Sequence, residues 1–132
     1  MSFQYICNNP RTFDLEINDC VVRALSLAFN RAYPEVHEVC AKAGRKPRRG
    51  MMRAQTDKAI QALSANKDAK LERYSRGNRC TLATFAKHNP KGNFIVIKRG
   101  HAVALIDGVY HDNSNTETGL PRSIVQACFR TK

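Results

Sequence analysis

No apolar stretch in this 132-residue chain approaches the roughly 20 residues that a membrane-spanning helix requires. The opening residues, MSFQYICNNPRTF, lack the charged and apolar regions of a signal peptide, so a soluble, cytoplasmic chain without a membrane partner is expected. Acidic residues are scarce: 11 Asp and Glu stand against 22 Lys and Arg, a net charge of +11. Such a surface favours acidic partners: nucleic acid, an acidic protein surface or anionic lipid headgroups, among which charge alone does not choose. Close cysteine pairs are missing as well. Cys7, Cys20, Cys40, Cys80 and Cys128 lie far apart and are odd in number, which argues against a zinc motif and against a complete disulfide framework. Reduced thiols are expected, with no metal and no cofactor. Nor do the aromatic residues cluster into a platform for stacking bases, which argues against sequence-specific RNA reading.

The chain holds no internal repeat and no long low-complexity tract, and its length suits one core, so residues 1–132 read as a single domain. Its first half has helical periodicity. In NDCVVRALSLAFNRAY, Val21, Ala24, Leu25, Ala28 and Phe29 form one stripe, with Asn18 or Asp19 as N-cap. Pro34 opens a second helix, whose Val36, Val39, Cys40 and Ala43 form an apolar face before Gly44 ends it. The run RKPRRGMMR follows. Arg45, Lys46, Arg48, Arg49 and Arg53 gather there around Pro47 and Gly50, a composition expected to form a solvated basic loop able to contact phosphate or an acidic protein. A helix is predicted over AQTDKAIQALSANK, and a short one from Thr81 with Leu82 and Phe85 turned inward.

Beyond Asn89-Pro90, the runs FIVIK, HAVALI and VYHD are separated by Arg99-Gly100 and Asp107-Gly108, the signature of an antiparallel meander to which SIVQACFR is expected to add. Helices first and strands afterwards predict an α+β fold, with N-terminal helices packed on a C-terminal antiparallel sheet.

Two residues in this frame carry chemistry. Cys20 opens the longest amphipathic stretch, where the exposed N–H groups of a helix N-terminus stabilise a thiolate. His101 heads an apolar strand directly after Gly100, while His37 and His88 are expected to face solvent and His111 is the poorer candidate base. A third group must accept the second imidazole N–H. Asp112 is the first choice, with Asn113 and Asn115 as alternatives, while Asp107 reads as a turn residue before Gly108. Cys40 and Cys128 read as core thiols.

The order Cys at a helix start, His at the head of a strand, then Asp or Asn after the next strand resembles the papain-like cysteine peptidases, in particular the C39-like group and its small phage-encoded type. The segments NDCVVRALSLAF and KGNFIVIKRGHAVALIDGVYHDNSN carry the resemblance. It implies a papain-like fold, with Cys20 as nucleophile, His101 as general base and Asp112 as orienter, acting on a peptide or isopeptide bond or in a related acyl transfer or deamidation. It also implies an oxyanion donor shortly before the cysteine. No Gln occupies that place, and the nearest side-chain amide is Asn18. A phage origin would put the protein in a host cell or a virion. The other reading of the same residues is a catalytically inactive papain-like scaffold that binds nucleic acid or an acidic protein through its basic loop.

Overall fold

Apolar residues fill consecutive positions in NFIVIK and HAVALI, and a strand of that composition must bury both faces. The computed structural model describes residues 4–7, 20–46, 49–99, 101–112 and 122–131, for 4–7 and 112 the backbone only. Strands β3 (Asn93–Lys98) and β4 (His101–Ile106) pair antiparallel, from Asn93 opposite Ile106 to Lys98 opposite His101. Side chains alternate across the pleat. Ile95, Ile97, Ala102, Ala104 and Ile106 join one apolar cluster, and Phe94, Val96, Val103 and Leu105 join the other.

Four further strands extend this hairpin on both sides. Strand β5 (Val109–Asp112) follows β4 through Asp107 and Gly108, whose φ values of 47° and 83° are those of a tight two-residue hairpin. The expected turn role of Asp107 is met twice over, since it accepts the Gly92 N–H at 2.9 Å and donates its own N–H to the Gly92 carbonyl. Strand β1 (Gln4–Cys7) lies parallel to β5, while β6 (Ala127–Arg130) pairs with β3 and β2 (Glu72–Arg73) pairs with β6. The strand order is β1-β5-β4-β3-β6-β2. The α+β class holds. The sheet, however, is neither wholly C-terminal nor wholly antiparallel: β5 offers a further edge to β1, and β6 offers one to β2.

Helices cover both sides. On one, α1 (Cys20–Phe29) lies across β4, α2 (Tyr33–Lys42) packs on α1, and α3 (Arg53–Leu63) packs on α2. On the other, α4 (Leu82–His88) places Phe85 edge-on to Phe94 at 5.4 Å, and the buried Tyr110 hydroxyl donates to the Leu82 carbonyl at 3.1 Å. Thr81 caps α4 as expected, its hydroxyl accepting the Thr84 N–H. The buried stripe of α1 is wider than its periodicity indicated. Val22 is fully buried, and Val21 and Phe29 are only partly so, because α2 and α3 cover a second side of the helix. Among the described residues no helix is long and apolar enough to cross a membrane.

The end of α2 corrects the reading of the basic run. Gly44 has φ +114°, its N–H donates to the Ala41 carbonyl, and the Arg45 N–H donates to the Cys40 carbonyl, which together make a Schellman motif. In that motif the residue after the glycine folds back onto the helix. Arg45 is therefore only 5% exposed, beside Cys40, rather than part of a solvated loop. Arg53, at the other end of the run, is the first residue of α3.

Leu25 is fully buried where α1 meets the sheet. Leu25→Ala is expected to lower unfolding free energy by about 2–5 kcal/mol. A urea titration followed by circular dichroism checks this, with an unchanged denaturant slope showing that only stability moved.

Candidate functional site

The position of Cys20 follows from how α1 is held at its other end. The Ala28 carbonyl accepts hydrogen bonds from the Asn93 side chain at 3.2 Å and from the Thr131 hydroxyl. Asn93 starts β3, and Thr131 follows β6, so the C-terminus of α1 is fixed at that edge of the sheet. A ten-residue helix rises about 15 Å, close to the length of a six-strand-residue run of about 20 Å. Cys20 consequently falls at the opposite edge, where β3 turns into β4.

A cavity of about 250 Å³ opens at that edge. Cys20 and His101 both line it, so the two residues singled out for chemistry share one space. Each is partly exposed. His101 stands opposite Lys98 across the hairpin, and Lys98 and Ala102 line the cavity too. The far wall comes from the start of α3, where Arg53 and Thr56 stand one turn apart on one face, and from Leu71 and Arg73. Gln55 secures that wall. At the third position of α3 it accepts the Met52 N–H at 2.9 Å, and its amide donates to the Gly44 carbonyl at 3.0 Å, tying α3 to the turn that ends α2.

Asp112 is the last residue of β5, paired through the backbone with Cys7 of β1. The β4–β5 ladder runs from Ile106 opposite Val109 to Ala104 opposite His111, and one step further sets Asp112 at the level of Val103, toward the His101 end of β4. Asn18, Asn113, Asn115 and Arg48 lie outside the described residues. Lys46 and Arg49 are exposed, and Arg53 is both exposed and part of the cavity wall.

In comparisons with known proteins, no family model, curated protein or solved structure matches this chain.

Gln126, Arg73 and Lys98 are cavity residues that the reading of the sequence did not single out. Among the described residues Gln126 is the one side-chain amide in the lining, and its backbone N–H donates to the Ile97 carbonyl at 2.8 Å. Its place depends on β6 landing beside β3, which no local pattern encodes. Lys98 could have been found, since a two-residue hairpin at Arg99-Gly100 necessarily sets it across from His101. The remaining histidines separate clearly. His88 is exposed and His37 is partly buried against the Tyr33 ring. His111 is half-buried on the face opposite Tyr110, and burial lowers its pKa.

Burial disfavours the thiolate at the other described cysteines. Burial pushes Cys40 up to about 12, the nearby Arg45 only partly opposing it, and burial likewise raises Cys80 and Cys128. Cys128 also contacts the Tyr74 hydroxyl at 3.0 Å. These shifts bound the pH range of greatest stability. Below the ordinary histidine value of about 6.5 the unfolded chain takes up a proton that native His111 refuses, so stability falls with pH. Above about 9 the unfolded chain releases protons that the buried thiols retain, so stability falls as pH rises. Urea midpoints measured from pH 5 to pH 11 are expected to show both limbs, with His111→Gln flattening the acid limb and Cys40→Ala the alkaline one.

Proposed function

We propose that this protein is a papain-like cysteine hydrolase acting on peptide or isopeptide bonds, with Cys20 as nucleophile and His101 as general base. The observation that carries the reading is the meeting of Cys20, at the first residue of a helix, with His101, at the head of a strand, in one cavity.

Each part of the reaction has a physical basis. His101 takes the proton from the Cys20 thiol, and the helix N-terminus favours the thiolate that results. The sulfur attacks the carbonyl carbon and a tetrahedral oxyanion forms. The backbone N–H groups of the first turn of α1 have no partner within their own helix, and together with the Gln126 amide they supply donors for that oxygen. Asn18, the donor expected from the sequence, lies outside the described residues, and Gln126 is a second side-chain amide for that role. When the carbon–nitrogen bond breaks, the leaving amine receives the proton from His101 and an acyl-enzyme remains. Water, deprotonated by His101, then releases the acid and restores the thiol. Asp112, at the neighbouring strand, orients the imidazole. A reducing cytoplasm keeps such a thiol competent, which fits that setting.

Wild type and variants can be compared on a fluorogenic peptide library and by thiol labelling. Cys20→Ala and His101→Gln are expected to abolish cleavage, and Gln126→Ala to lower kcat by about 10²–10³-fold with little change in KM. Neutral iodoacetamide at pH 7 is expected to label Cys20 ahead of Cys40, Cys80 and Cys128. If labelling of Cys20 in the native protein is no faster than in the urea-unfolded chain, and His101→Gln leaves it unchanged, the thiol is not activated and the hydrolase reading falls.

A further inference from the structure

Among the described residues, the cavity lining contains Arg53, Arg73 and Lys98, and no Asp or Glu. Three cations around a space of about 250 Å³ give it a positive field. One does have an internal partner: Asp57 lies 3.8 Å from Arg73. Even so, burial and the neighbouring Arg53 guanidinium lower the Arg73 pKa, against the effect of Asp57, so the two guanidinium groups repel across the wall. Arg53 forms no ion pair among the described residues, and Lys98 reaches only a neutral hydroxyl, that of Ser123, at 3.3 Å. The opening residues of α1 and α3 both line the cavity, so the positive ends of two helix dipoles add to the field. The volume is below the roughly 300–1,000 Å³ typical of pockets for whole small-molecule ligands. It suits one side chain and the adjoining carbonyl.

We infer that the substrate of this site carries a carboxylate side chain, Asp or Glu, next to the scissile carbonyl, recognised by Arg53, Arg73 and Lys98. This rests on the proposed role of Cys20 only for the word substrate; the anion preference of the cavity is a separate property and can be measured separately. Arg53 and Arg73 are chemically suited to a carboxylate, because a guanidinium presents paired donors that match its two oxygens. Lys98 contributes a point charge beside His101. The basic run seen in the sequence thus reaches the site by one member, Arg53, and the other two cations come from β3 and β2.

The test uses Cys20 itself as the reporter. Iodoacetate and iodoacetamide alkylate the same sulfur and differ in charge, so the ratio of their rates, divided by the same ratio for a small free thiol, measures the field at Cys20 whether or not the protein turns over any substrate. The Cys20 peptide is followed by mass spectrometry. A normalised ratio of about 10 or more in favour of iodoacetate is expected at low salt, falling toward 1 at about 1 M salt, where the Debye length is about 3 Å. Arg53→Gln with Lys98→Gln is expected to reduce it several-fold, and the salt arm gives the same answer without a variant if that protein folds poorly. A normalised ratio at or below 1 in wild type, or one that salt does not change, overturns the inference. On the peptide library, Glu or Asp is expected to exceed Gln or Asn at the preferred position by about tenfold or more in kcat/KM, with the advantage lost in the double variant. Fast labelling by both reagents with a ratio of 1 leaves a hydrolase without acidic specificity. A high ratio without thiol activation leaves an anion-binding cavity and removes the hydrolase.

Discussion

The β3–β4 hairpin is buried on both faces, and the placement of the other elements depends on that burial. Val96 against Val103 and Ile95 against Ala104 sit at its centre with no exposure to solvent, each pair committed to a different apolar cluster. A one-residue slip of β3 in this register would turn its set over, presenting Phe94 and Val96 to α1 and Ile95 to α4. The side chains are matched against that exchange. Ala102 and Ala104 are small where a helix must approach closely, whereas Phe94, Val103 and Leu105 are large where the short α4 leaves more volume to fill.

From this register the site follows by length. Asn93 holds the end of α1 at one edge of the sheet, and Lys98 and His101 stand at the other. The hairpin therefore sets both the helix that presents Cys20 and the strand that presents His101. Gln55 connects the far wall to the turn at Gly44, whose backbone only glycine adopts without strain and where a Cβ would come within 3.0 Å of the Gln55 amide. A site made at the junction of five segments has no single rigid scaffold. Its precision comes from these cross-ties.

What could be read in the sequence was what neighbouring residues determine among themselves. Gly44 ending α2, Thr81 starting α4, Asp107-Gly108 turning β4 into β5, and Cys40 and Cys128 lying in the core were all written in local patterns. Cys20 at a helix start and His101 at a strand start were equally local, although their sharing a cavity was not. The parallel β1, the two-residue β2 and the arrival of Gln126 and Arg73 at the cavity depend on pairings between distant segments, and such pairings leave no periodic trace. Arg45 is a different case. Its charge pointed to solvent, while its position just after a helix-ending glycine pointed inward, and backbone geometry prevailed over side-chain polarity.

The ties at Thr131 and Gln126 also bear on timing. During synthesis α1 and Cys20 emerge early, and β6 emerges roughly a hundred residues later, a gap of about 5–20 s at ordinary translation rates. Until β6 docks against β3, the Ala28 carbonyl lacks its Thr131 partner and the cavity lacks its Gln126 wall. A nascent chain accordingly carries Cys20 without the chamber around it, and the last strand to pair is the one that completes that chamber.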